Sequence, residues 1–281
     1  MQPKLAQRLA HVVDPAVRQR YVARDLQTAD AHEVVEAIEF CAMSSRDSLQ
    51  RGLYLSFLQL ILTVRPRPNL PGGPLPLPDR ERVLADARVA LLIGAATQRE
   101  FVFTARLLRD AFAPPTVADA HLIHLHPSVE KIPLGTRRER ARSPSRDQLA
   151  ALLLDTTPSV VQILAENPRT LQAHAMQMAT LRPTNAWALQ AILMSLRWLS
   201  NELICESCMR NQAAPAWLVL ALAPLVPSKI QLSVLHLPWI NVSVRALLAR
   251  WLGLADQMDL EQEVAEPVVY ELDVDGEVGA V

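Results

Sequence analysis

Cys205 and Cys208 stand in a C-x-x-C spacing, which serves redox dithiols and forms half of many zinc sites. Zinc takes four ligands of matched spacing, and the chain offers no second pair, only Cys41 and distant histidines. One helical turn apart beside Leu203 and Ile204, the two cysteines read more simply as small core side chains. His121, His124 and His126, with Asp119 and Glu130 nearby, form the densest set of metal-ligand types. A strand would put His124 and His126 on one side and a helix would align His121 with His124, so no single conformation presents all three. Histidines that cap helices or contact backbone are the plainer reading. No metal or other cofactor is expected.

The strongest charged feature is the run Arg137, Arg138, Arg140, Arg142 and Arg146, preceded by Lys131 and interleaved with Ser143 and Ser145. Guanidinium forks grip phosphate oxygens in pairs, so nucleic acid or a phospholigand is one reading of this cluster. Glu139 and Asp147 dilute it, and it holds no aromatic residue on which a base would stack. A solvated face, or a surface for the acidic tail of the same chain or of another copy, is the other reading. The segment 65–71, RPRPNLP, fits a polyproline ligand and also a plain irregular loop. No phosphate-binding glycine loop, nucleophile elbow or paired zinc-protease histidine occurs; His32–Glu33 lacks its second histidine. The chain is expected not to be an enzyme.

Positioning these residues falls to helices. Of 281 residues half are apolar, mostly Ala, Leu and Val, with only eight Gly and 5% aromatic. That balance favours helix over strand. Three cysteines cannot all pair within one chain, and no apolar leader opens it, so a reducing, cytoplasmic setting is expected. The longest apolar run, 216–226, is 11 residues, too short for a hydrocarbon layer of about 30 Å, so no membrane partner is expected. Residues 1–255 carry a net charge of +8, while 256–281 hold nine acids and no Lys or Arg.

Residues 1–64 read as an N-terminal helical bundle whose last segment, rich in leucine from Leu53 to Leu62, is apolar on most sides and so buried. Six prolines make 65–80 a loop, residues 81–144 are helices and a basic loop, and the acidic tail 256–281 is expected to be mobile. Four pairs have capping-box spacing: Asp30–Glu33, Thr97–Glu100, Ser145–Gln148 and Ser228–Gln231.

Between 145 and 255 the apolar grammar repeats. At an offset of 44, Asn167 answers to Asn211, Met176 to Leu220, Met178 to Leu222, Ala179 to Ala223, Leu181 to Leu225 and Pro183 to Pro227. SVVQILA at 159–165 also matches SVRALLA at 243–249. The helix after Pro168 is expected to bury Leu171, His174 or Ala175, Met178 and Leu181, and 184–200 to form one helix buried on nearly every side. A period of about 40–47 belongs to two- or three-helix repeats. With DTTPSVVQILAENPRT, MATLRPTNAWALQAILMSLRW and PAWLVLALAPLVP, the region resembles bacterial HEAT-like and leucine-rich-variant helical repeats. Gln212 departs from the Asn–Pro break, and the third unit is truncated. The resemblance implies an all-α fold, an α-solenoid of stacked antiparallel helix pairs. Its implied function is a protein–protein interaction scaffold, with another protein as partner. Nucleic-acid binding through the arginine cluster is the alternative, and DNA glycosylase-like chemistry the enzymatic variant of it.

Overall fold

Short acidic and amide side chains open many of the helices. The computed structural model describes residues 2–64, 84, 86–113, 125–143 and 145–254, and among these it is all-helical with no strand. The first group is α1 (Lys4–Ala10), α2 (Pro15–Thr28), α3 (Ala31–Met43), α4 (Ser48–Val64), α5 (Asp86–Gln98) and α6 (Val102–Ala111). Then come α7 (Pro127–Glu130), α8 (Leu134–Arg142), α9 (Arg146–Ala150), α10 (Pro158–Glu166), α11 (Gln172–Thr180) and α12 (Ala186–Leu193). The last are α13 (Leu196–Leu199), α14 (Glu202–Met209), α15 (Ala216–Leu222) with a 3-10 turn at Ala223–Leu225, α16 (Ser228–Leu235) and α17 (Val242–Trp251). None of these helices is long and apolar enough to cross a membrane.

Asp14, Asp30, Asp47, Asn201 and Asn241 each accept first-turn amides of α2, α3, α4, α14 and α17, and Asn185 does so for α12. Each cap satisfies donors that have no partner within the helix. Of the four capping pairs expected, only Asp30 caps with its side chain; Ser145 is an N-cap residue without that bond. Thr97 lies in the last turn of α5, and Ser228 is already inside α16, whose N-cap is Pro227. Gln231 instead donates to the carbonyls of Ala223 (2.6 Å) and Val226 (3.1 Å).

One pair matched at the offset of 44, Asn167 and Asn211, shares a structural role. Asn167, just past α10, donates its amide to the Ala141 and Ser143 carbonyls at the end of α8, at 2.8 and 3.0 Å. Asn211, two residues past α14, does the same to the Ala179 and Leu181 carbonyls at the end of α11, at 2.9 and 3.1 Å. Each also accepts an amide two residues on, from Arg169 and Ala213. Both asparagines are buried and clasp the C-terminus of a helix packed against their own. Terminal carbonyls that would otherwise lack donors are thereby satisfied. Neighbouring packed pairs include α8 with α10, α10 with α12, α11 with α14, α14 with α15, and α15 and α16 with α17.

Two local expectations fail here. Leu171 is 46% exposed because it precedes α11 as its N-cap residue; the buried set is Ala175, Met178 and Ala179. The segment 184–200 is two helices, because Ser195 adopts an extended conformation between α12 and α13.

The helix expected to be buried, α4, lies at the centre. It packs on α1, α2 and α3 and also on α12 and α13, with Leu53, Tyr54, Phe57, Leu58, Ile61 and Leu62 all at most 1% exposed. Its Tyr54 hydroxyl donates to the Ala221 carbonyl at 2.8 Å, and Gln190 donates to the Leu62 carbonyl at 2.8 Å. Just before it, Ser45 donates to the Pro224 carbonyl at 2.6 Å. A single apolar cluster therefore runs from Leu5 to Ala249. The 65–80 loop and the acidic tail lie outside the described residues.

Candidate functional site

Where the α3–α4 corner meets the C-terminal helices, the surface opens into a groove of about 1290 Å³. The corner supplies Met43, Ser45, Arg46 and Arg51; α14 begins on one side with Asn201, Glu202 and Leu203; α16 contributes Ser228, Gln231 and Leu232. Trp251, Leu252 and Leu254 close the end next to α17. The volume exceeds the roughly 300–1,000 Å³ of small-molecule clefts.

The frame of the groove is fixed by its own hydrogen bonds. Arg51 donates to the Leu225 carbonyl at 2.9 Å and lies 3.5 Å from the Glu202 carboxylate. Arg46 donates to the Ser228 hydroxyl at 2.9 Å. Those bonds tie α4 to the start of α14 and α16, while Asp47 and Asn201 cap the two helices that form the walls. On this polar frame stand Met43 (57% exposed), Leu203 (50%) and Leu232 (38%), three of the nine exposed large apolar side chains among the described residues. Apolar side chains placed together in a groove with a polar rim mark an interaction surface more than scattered exposed leucines do.

A second hollow, about 640 Å³, lies between α6 and α17 and carries Arg106, Arg109 and Arg250 beside Phe101, Val102 and Leu247. Arg106 is held by Asp110. Neither hollow brings together a nucleophile, a base and an orienting group.

The arginine cluster does not form one surface, contrary to its reading as a five-residue phosphate grip. Arg137 shares the inward face of α8 with Ala141, one turn on, and is 6% exposed. It donates to Asp155 at 2.7 Å, Thr157 at 2.8 Å and the Ile132 carbonyl at 3.0 Å. Arg138 is spent on the Ser159 hydroxyl at 2.9 and 3.0 Å. Arg140, Arg142 and Arg146 remain exposed, the first two around a shallow hollow that also contains Glu139.

Cys205 and Cys208 are fully buried with free thiols, as is Cys41. Burial pushes the Cys41 and Cys205 thiols up to about 12 and Cys208 well above the ordinary range. Cys205 donates to the Leu199 carbonyl at 3.2 Å. His126 caps α7, accepting the Ser128 amide at 3.2 Å, while His121 and His124 lie outside the described residues. Among the described residues no group of three or more His, Cys, Asp or Glu side chains is placed to hold a metal.

The groove residues carry no local sequence signal. Met43, Leu203 and Leu232 are single apolar residues off the buried stripe of their helices, and only the tertiary arrangement gathers them. Comparison with models of known families, with curated proteins and with solved structures finds no match to this chain.

Proposed function

We propose that the chain is a non-catalytic protein–protein interaction scaffold, with residues 145–255 stacked as a HEAT-like solenoid against the N-terminal bundle. The recurring asparagine clasp supports the repeat reading: α8–α10 and α11–α14 are each held by an asparagine amide that donates to two carbonyls at the end of the partner helix. The observation that carries the function is the large groove with Met43, Leu203 and Leu232 exposed inside a rim of Arg46 and Arg51. Its occupant is a protein segment with apolar anchors flanked by carboxylates, docked as an amphipathic segment docks in an apolar groove.

A photo-crosslinking side chain at Leu203 or Leu232 tests this in cells. Both positions should capture the same protein through the same peptide, and Met43→Asp should abolish the product. Leu91 on α5, 55% exposed, is the control position. Equal products from Leu91 and Leu203 would refute the reading. The nucleic-acid or phospholigand alternative now rests on Arg140, Arg142 and Arg146 alone, since Arg137 and Arg138 are engaged within the protein.

A further inference from the structure

Helix α17 ends in a Schellman turn. Gly253 takes φ of 72°, a left-handed conformation that suits glycine, and the Leu254 amide returns to the Ala249 carbonyl at 2.8 Å. The turn delivers the chain at Leu254, which is itself part of the groove wall. Leu254, where the described chain ends, thus stands at the groove, and a short tether holds a segment at an effective concentration in the millimolar range.

Charge and hydropathy match as well. The tail has nine acids and no Lys or Arg, with Met258, Leu260 and Val264 set among the first of them. The groove lining offers Arg46 and Arg51 against one acid, Glu202; just outside it stand exposed Lys229, next to Ser228, and exposed Asp47, next to Arg46. Met43, Leu203 and Leu232 supply the apolar floor. The hollow between α6 and α17 is also cationic, but Leu254 is not part of its lining.

We propose that the acidic segment 256–281 folds back into this groove and occupies it until a partner displaces it. The proposal rests on the groove being a docking surface, yet its test needs no partner.

The full chain has only three lysines, Lys4, Lys131 and Lys229, which makes carbodiimide coupling of amines to carboxylates a selective probe. In dilute, low-salt solution, tail carboxylates, including the distal Glu271–Glu277, should couple to Lys229 at least about fivefold more than to Lys4 or Lys131, given the raised local concentration. Arg46→Ser with Leu203→Gln leaves the tether unchanged and should reduce that coupling severalfold; both side chains are solvent-exposed, and circular dichroism checks the fold. Salt should weaken it too, because the attraction is screened beyond about 8–10 Å at physiological ionic strength. Preference for Lys131 would place the tail on the α8 surface and overturn the proposal. So would coupling that the double variant leaves intact, or coupling only between isotopically distinct chains. If Leu203 still captures a partner in cells when the tail does not couple, the groove reading stands and the tail proposal alone falls.

Discussion

Replacing Arg137 by alanine is the sharpest test of how the basic run is used. The guanidinium is buried against an Asp155 carboxylate that is itself 1% exposed, and it also satisfies Thr157 and the Ile132 carbonyl. Asp155 keeps one further bond, from the Thr157 amide at 2.8 Å. Removing the arginine therefore leaves a buried carboxylate without its counter-charge, a loss of about 3–5 kcal/mol. At about 2–4 °C per kcal/mol for a chain of this size, the melting temperature should fall by roughly 6–20 °C. Arg140→Ala and Arg142→Ala, exposed on the same helix, should each stay within about 0.5 kcal/mol of wild type. Denaturant unfolding followed by circular dichroism measures all three. Equal, small effects across the three variants would refute the assignment of Arg137 to the core. A double variant with Asp155→Asn should recover part of the loss, because the stranded charge is gone.

Three further outcomes follow from the same coordinates. Asn167→Ala and Asn211→Ala should each cost about 1–3 kcal/mol in chemical denaturation, since each strands two terminal carbonyls. Glu39 is pushed above its ordinary value of 4.5 by burial, against the opposing bonds from the Thr104 amide and hydroxyl. The native state then binds its proton more tightly than the unfolded chain, so this contribution to stability is present at acid pH and lost as pH rises through the raised native value. Glu39→Gln should flatten that part of the profile, gaining on wild type as pH rises above the ordinary carboxylate value in parallel unfolding curves. With thiols buried, Cys41 and Cys205 pushed up to about 12 and Cys208 well above its ordinary range, all three should resist a thiol reagent in the native state and react in denaturant. Rapid native labelling of Cys205 would contradict the packing of α14.

Patterns that live on one helix were legible in the sequence; those made by several segments were not. The leucine-rich α4 announced its burial through apolar residues on most sides, and Asn167 with Asn211 announced a shared device, although not its hydrogen bonds. Arg137 and Arg140 look alike in composition. Only helical phase separates them, because Arg137 shares a face with buried Ala141 and Arg140 does not. The break between α12 and α13 has neither proline nor glycine to mark it, so a run of apolar residues read as one helix. The groove joins Met43, Arg51, Leu203, Leu232 and Leu254, whose nearness depends on α4 lying against the C-terminal helices. No spacing along the chain encodes that.

The central place of α4 has a consequence for synthesis. Its carbonyl at Leu62 is bonded by a residue 128 positions later, and Tyr54 reaches one 167 positions later. At about 5–20 residues per second, a ribosome delivers those partners roughly 6–30 seconds after α4 emerges. Through that interval this leucine-rich helix can cover only the flank that faces α1 to α3. The newborn chain should therefore be a client of holding chaperones until its later helices arrive.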